Sequence, residues 1–520
     1  MSGACSVRPG SPCREEGEAG MARCHRRLLA AAALAAILAA CTVGPDYVRP
    51  TVTTPAAYKE IAGWKLGQPQ DAADRGPWWS IYQDAVLDGL ARQVEVSNQN
   101  LKASEAAYRA AVAVVQQAQA ALFPTITFNG SATRSKASGG SGSGPSAHGA
   151  PPAVSLYELT LGTSWALDVW GRIRRTIESD VANAQASAGD LASARLSAQA
   201  ALATAYFQLR VEDELKDLLD DAAQGYARSL EITRNKYTAG TAARSDVAQA
   251  ETQLEATQAQ AINVGVQRAQ LEHSIAVLIG KPPADFAIAP VKRLITEIPV
   301  VPPGMPSALL ERRPDIAAAE RQVAAANAQI GVAIAAYYPE LTLSASYGYL
   351  SNKLANLIQA SNSLWSLGPQ FAETVLDWGA RSAQVDAARA SYDQSVANYR
   401  QTVLTAFEQV EDELAALRIL AEQAKAQAVA VKSAKEAERL IFNQYKAGTV
   451  DYTSVVTAQI TALGNEETEL TIQQNRLTAS VALVQALGGG WAASQLPTGG
   501  EVNPGPFSSA PSEAARTAQP

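Results

Sequence analysis

The sequence predicts a mainly α-helical chain with a small membrane β portion: two similar halves, each made of long coiled-coil-like helices capped by a β-hairpin. Three observations carry this reading. Trp170, Gly171, Tyr237, Gly240, Thr241 and Gly280 return without gaps as Trp378, Gly379, Tyr445, Gly448, Thr449 and Gly488, each 208 residues later. A fixed long period signals tandem structural units. Upstream the offset is 215, linking Leu101, Tyr108, Val115, Leu122, Phe123 and Pro124 to Ile316, Val323, Ile330, Tyr337, Tyr338 and Pro339. Second, the hydrophobic period switches after each of these prolines from the spacing of a helix to the dyad of a strand. Third, each strand pair is followed by an unbroken helical pattern of about 65 residues, or about 98 Å of helix.

The N-terminus reads as a targeting segment. Arg23, Arg26 and Arg27 precede an apolar run over 28–40, so 1–40 is expected to be a signal peptide, too short for a comfortable membrane span. Residues 1–20 fit no n-region, and Met21 is the expected start of translation. Leu38-Ala-Ala-Cys41 resembles the lipobox of bacterial lipoproteins, which makes Cys41 the expected lipidation site. Thr42 in place of Asp after that cysteine implies sorting to the outer membrane. The net charge of −7 becomes more acidic once the five Arg and three Glu of 1–40 are removed, which argues against nucleic acid as a partner. All four cysteines lie in the first 41 residues, so the mature chain has neither a disulfide framework nor a cysteine-rich metal site.

The elements follow in order. Residues 41–78, with Pro45, Pro50, Pro55, Pro69 and Pro77, read as a lipidated extended arm. The first repeat covers 79–280. It starts with one helix over 81–122, whose stripe Leu101, Tyr108, Val115, Leu122 recurs every seven residues and stops at Phe123-Pro124. Strands are expected over 125–133 and 156–168, around a Gly/Ser-rich loop, and then a helix over 172–236. A turn at Gly240 leads to a return helix that ends at Gly280. The Pro-rich stretch 281–305 is an equatorial linker, expected to form a collar with the end of the second half. The second repeat, 306–490, supplies a helix over 313–337 and a clean dyad strand over 341–349. A messier strand follows over 364–376, where Gly368-Pro369 suggests a bulge and Glu373 falls on the apolar parity. A helix over 380–444, a turn at Gly448 and a return to Gly488 complete it, and 491–520 is expected to be a flexible tail. Each long helix should lie beside two shorter ones stacked end to end, because the return helix alone is too short to cover it.

Four strands cannot close a barrel, and an open sheet edge cannot sit in lipid. Two chains would give eight strands and a filled bore; three would give twelve and a passage. The residues alone leave both open, although the polar parity favours a wet interior.

Cys41-Thr-Val-Gly-Pro-Asp46-Tyr47-Val-Arg-Pro50, Leu310-Glu-Arg-Arg313-Pro314-Asp315-Ile316 and Ala325-Ala-Asn327-Ala-Gln-Ile330-Gly331 resemble the hallmarks of the TolC-like outer membrane efflux lipoproteins, over 41–487. The resemblance implies a homotrimer with a twelve-stranded outer-membrane barrel continuous with a periplasmic α-barrel tunnel. It also implies a periplasmic adaptor and an inner-membrane pump of the resistance-nodulation-division class as partners. The channel would be passive.

On that resemblance, the helix-turn-helix tips carrying Tyr237, Gly240, Arg244, Asp246, Tyr445 and Gly448 face the adaptor. Asp451 and Tyr452 are the candidate gate. A ring of Asp451 would favour cations at a narrow mouth, and solvated turn residues are the simpler alternative. Some relatives carry the gating Asp one position earlier, where this chain has Val450. Trp165, Trp170, Trp365 and Trp378 suit an aromatic belt at the membrane interface or packing at the strand-to-helix swivel. The acidic runs 212–214 and 411–413 are expected to be solvated surface or tunnel wall.

No catalytic motif, metal site or cofactor is expected: the only mature histidines are His148, in the Gly/Ser loop, and His273, in a helix. The competing readings are an outlet for type I protein secretion and a structural envelope lipoprotein without a channel. The second is disfavoured by the dyad strands.

Overall fold

The computed structural model describes residues 42–60, 77–136, 153–292, 298–299 and 305–505. The signal segment, Cys41, most of the Gly/Ser loop with His148, and residues 506–520 lie outside the described residues, as do parts of the expected linker.

The first repeat opens with a 3-10 turn, Trp78–Tyr82, followed by α1 (Ala85–Ser97) and α2 (Gln99–Ala120). The single helix expected over 81–122 is therefore broken. The break is at Asn98, whose backbone is extended (φ −62°, ψ 123°) and whose Oδ1 accepts the Leu101 N–H at 3.0 Å as an N-cap. Its Nδ2 meanwhile donates to the Leu278 carbonyl at 2.7 Å, at the end of the return helix. The kink is where two helices stacked end to end share their terminal polar groups. Leu87 and Val94 before the break and Leu101 after it keep the spacing of seven across it, and all three pack in one core.

Strands β1 (Thr125–Ser135) and β2 (Val154–Leu167) follow, then α3 (Arg172–Thr238) and α4 (Arg244–Leu278). The second repeat gives α5 (Pro314–Ala335), β3 (Glu340–Ser351), β4 (Ser363–Ala372), α6 (Ala380–Ala447) and α7 (Tyr452–Ala486). Helix α3 packs against α2 and α4, and α6 against α5 and α7, the arrangement expected of each half. The junction of α5 with α7 repeats that at Asn98: Arg313, 215 residues on, donates from Nη1 to the Ala486 carbonyl at 3.1 Å.

The strands form one antiparallel sheet in the order β1-β2-β3-β4. Expected strands and observed strands agree within a few residues, except at β4. Pairing there is continuous, with Ser344 opposite Gly368 and Leu343 opposite Pro369, so there is no bulge. Glu373 lies past the end of the strand and does not disturb its parity.

Two further expectations need correction. Asp213, in the 212–214 run, is buried, with a side chain 1 % exposed. The tail is not flexible throughout: residues 499–502 form a short helix, α8 (Gly499–Val502), and Val502 is fully buried against Val115 and Ala184. An apolar residue with a vacant pocket between α2 and α3 docks the segment, and Gln185 Nε2 donating to the Pro497 carbonyl at 2.9 Å holds it.

Candidate functional site: sheet, junction and distal tip

The register sorts the sheet into two chemically distinct faces. Phe128, Leu161, Tyr347 and Trp365 form one row across the four strands, because paired residues of an antiparallel sheet share a face. Ile126, Leu159, Leu343, Leu367 and Phe371 lie on that same face. The neighbouring row, Thr127, Gly162, Ser346 and Ser366, belongs to the opposite face, where Ser346 and Ser366 share a hydrogen bond of 2.8 Å. Phe128 and Phe371 are each 68 % exposed and Trp365 is 73 % exposed, which water would not tolerate over so continuous an area. The strands are 10–14 residues long, against about 9–11 needed to cross a bilayer with tilt. The apolar face suits lipid and the polar face suits water.

At the base of the sheet the strands hand over to helices. Trp165 Nε1 donates to the Leu122 carbonyl and Trp170 Nε1 to the Pro339 carbonyl, each at 2.9 Å, and the Trp170 ring stacks on Tyr338 with centroids 4.8 Å apart. Trp170 is thus packed at the swivel. Its repeat mate Trp378 is 91 % exposed and left-handed (φ 54°).

The arm is clasped at this same level. The Val43 N–H donates to the Trp170 carbonyl at 3.2 Å, and the guanidinium of Arg175, 5 % exposed, donates to the carbonyls of Val43 and Gly44 and to Asp46. Gly44, at φ +100°, lies so close to α5 that a Cβ would come within 2.4 Å of the Gly331 Cα. Farther along, the Glu411 carboxylate accepts the N–H groups of Lys59 and Glu60, so the 411–413 run is partly a docking point rather than free wall. Cys41 itself is outside the described residues, one position before Thr42, which lies on Gly171.

The distal tip lies at the opposite end of α3 and α6, about 100 Å of helix away. Gly240 (φ +76°) and Gly448 (φ +79°) end the two long helices in the left-handed conformation. The Thr241 N–H donates to the Lys236 carbonyl at 2.9 Å, and the Thr449 N–H to the Gln444 carbonyl at 3.0 Å, the same closure 208 residues apart.

The side chains around the turns are not equivalent. Tyr237 is 46 % exposed, whereas Tyr445 is buried, its hydroxyl donating to Thr233 Oγ1 at 3.2 Å and its ring lying under the Lys236 ammonium. Tyr452 is buried too, 3.1 Å from Ser229 Oγ and edge-on to Tyr445. Burial raises the hydroxyl pKa of both tyrosines. Asp451 is exposed and caps α7, accepting the Ser454 N–H at 3.0 Å and its hydroxyl at 2.6 Å, bonds that hold its carboxyl below the usual range. Asp246 accepts the Ala243 N–H at 3.3 Å, and Arg244 points into solvent 4.0 Å from Glu251. Beside Asp451 a groove of about 450 Å³ runs between α6 and α7, lined by Ala434, Ala437, Ile441, Thr457 and Thr461.

One polar cluster escaped the sequence reading. Asp213 pairs with Arg210 at 3.1 Å and Arg268 at 2.6 Å and accepts the Val291 N–H at 3.2 Å, while the two arginines donate to the carbonyls of Ala289 and Ile288. It pins the described start of the linker to α3 and α4. Among the described residues, no group of three or more His, Cys, Asp or Glu could hold a metal.

A sheet with one lipid-facing and one water-facing surface, continued by helices about 100 Å long, defines an outer-membrane channel with an extended helical duct. The family described as outer membrane efflux protein matches residues 90–281 and 305–489, one segment per repeat, and the chain belongs to that family. It is 31 % identical over 470 residues to the probable efflux pump outer membrane protein TtgC of Pseudomonas putida, covering 90 % of this chain and 96 % of that one. It is also 31 % identical to the pyoverdine export outer membrane protein OpmQ of Pseudomonas aeruginosa, over 88 % of this chain and 95 % of the other. Among solved structures it superposes on the outer-membrane channel OprN with a TM-score of 0.79 and 30 % identity, covering 87 % of this chain and all of that one.

Proposed function

We propose that the chain is the passive exit duct of a tripartite efflux pump, working as a homotrimer whose twelve strands cross the outer membrane and whose helices form the periplasmic tunnel. The observation that carries the reading is the two-faced sheet with open edges. Its polar face needs water and its apolar face lipid, and only closure with further strands satisfies both edges. Three copies give twelve strands, enough for a wet bore. The chain itself supplies no energy, so a periplasmic adaptor and an inner-membrane pump of the resistance-nodulation-division class drive transport.

Lipidation of Cys41 fits the clasp at Val43 and Gly44, which holds the start of the arm beside the base of the strands, where acyl chains would enter the inner leaflet. At the far end, the exposed tip residues Tyr237, Arg244 and Asp246 and the turns at Gly240 and Gly448 offer the adaptor its surface. Asp451 puts a fixed negative charge at the mouth, and Tyr452 supports it from within the packed tip.

The test is a toxicant panel on a strain lacking the gene and on the complemented strain. Lower thresholds for several unrelated compounds, restored by the mature chain, support the duct. Unchanged thresholds together with loss of a secreted protein would replace efflux by protein secretion.

A further inference from the structure

A cavity of about 390 Å³ lies where α5 and α7 meet end to end, between α3 and α6. Its volume falls within the ~300–1,000 Å³ of small-molecule sites. The Arg313 guanidinium that lines it is committed: Nε and Nη2 donate to Asp315 at 3.0 and 2.7 Å, and Nη1 donates to Gln409 Oε1 at 2.8 Å and to the Ala486 carbonyl. Glu413, half-buried in the same wall, makes no hydrogen bond or ion pair among the described residues. Burial, and after it the neighbouring Asp412, hold its carboxyl above the usual carboxylate range. Arg313 and Asp315 cancel, so the cavity carries one uncompensated negative charge. Leu196, Pro314 and Ala486 add apolar surface, and Ser197 and Gln485 add polar groups.

The cavity opens on the side of the helices opposite the arm and the linker. Glu411 binds the arm, and Glu413, two residues on, points about 200° round α6 from it. Asp213 binds the linker, and Ser197, 16 residues earlier, lies about 160° round α3 from it. The arm begins beside the lipidation site, whose acyl chains need lipid, so its side of the helices faces outward and the cavity faces the bore.

We propose that this cavity is a resting site for amphipathic organic cations moving along the bore, which set an ammonium or amidinium group on Glu413 and an apolar body on Leu196, Pro314 and Ala486. This role rests on the duct reading and gives the duct a class of cargo. An anion finds no free cation here, because the Arg313 guanidinium is already shared between Asp315, Gln409 and Ala486. A bare metal ion finds too few ligands: among the described residues, no three or more His, Cys, Asp or Glu come together. One half-buried carboxylate holds its ligand loosely, as passage requires, since a conducting path must bind well enough to load and weakly enough to release.

The test titrates the purified mature lipoprotein in detergent with proflavine, a fluorescent organic cation at neutral pH, and with acridine, which has the same ring system and is neutral there. The wild type should change proflavine fluorescence saturably and bind acridine much more weakly. Glu413→Gln should weaken proflavine binding about 10- to 100-fold, the range for losing a hydrogen bond to a charged group. Glu408→Gln removes an exposed carboxylate of the same helix outside the cavity and should leave binding unchanged. Ser197→Phe fills the cavity without altering its charge and should abolish binding, which reads the site even if Glu413→Gln does not fold. In planar bilayers, proflavine should block the current of the wild type and spare Glu413→Gln. Wild-type affinity in Glu413→Gln or Ser197→Phe, or an equal loss in Glu408→Gln, overturns the site; conductance steps from the same preparations then leave the duct standing. Glu413-dependent binding to a protein that gives no steps overturns the cargo role together with the duct.

Discussion

Removing the carboxylate of Asp213 tests whether the equator of the molecule is held by a buried ionic cluster. In Asp213→Ala the guanidinium groups of Arg210 and Arg268 lose their shared counter-charge, and the Val291 N–H loses its acceptor. Breaking a buried ion pair by deleting one partner costs about 3–5 kcal/mol. Both arginines keep a backbone carbonyl, and Arg268 also keeps Glu272 at 3.5 Å, so the lower end applies, about 3 kcal/mol. That is a shift of about 150-fold in the local opening equilibrium that frees the linker from α3 and α4. Limited trypsin digestion at Lys281 and Lys292 reads this opening, provided reclosing outpaces cleavage. Cleavage of the variant should be about 100-fold faster, with Asp213→Asn in between because its shape and one acceptor survive. Cleavage at the wild-type rate, with an unchanged thermal melt by circular dichroism, would refute the assignment of the linker's order to this cluster.

Other expectations concern the tip and the arm. Asp451→Ala should raise the conductance of the closed channel and weaken its cation selectivity in planar bilayers, while fraying the start of α7 by about 1 kcal/mol in hydrogen exchange; unchanged conductance and selectivity remove Asp451 from the gate. Glu438 has its carboxyl pKa raised by burial and by Glu466, so its ionisation opposes the packed tip as pH rises above the ordinary carboxylate range. Glu438→Gln should therefore stabilise the tip at pH 7 and make no difference below about pH 4, where both forms are neutral; equal effects at both pH values would contradict this. Arg175→Ala should free residues 42–47 to proteolysis without dissolving the sheet, and Gly44→Ala should do the same because its Cβ meets backbone; a protected arm in both would show that the clasp lies elsewhere.

Much of the fold was legible because it is periodic. The 208-residue echo located both turns, and the dyad located the strands, since alternation is dictated by a sheet with one wet and one apolar face. Three features resisted for physical reasons. The Asn98 break leaves the heptad intact and depends on the Leu278 carbonyl, 180 residues away. Asp213 sits in an acidic run that looks solvated, and its partner Arg268 is 55 residues away on another helix. Pro369 signalled an interruption, yet it pairs opposite Leu343 in unbroken register with β3. Arg313 was visible as part of a family hallmark, though its task, capping the end of α7 as Asn98 caps α4, emerges only from the stacked helices.

The central claim, that the chain forms a water-filled duct across the outer membrane, is tested most directly by adding the purified mature lipoprotein to a planar lipid bilayer. Discrete, ohmic conductance steps that favour cations are predicted, with larger steps for Asp451→Ala. A correctly folded, membrane-inserted protein that gives no steps in either form would contradict the claim.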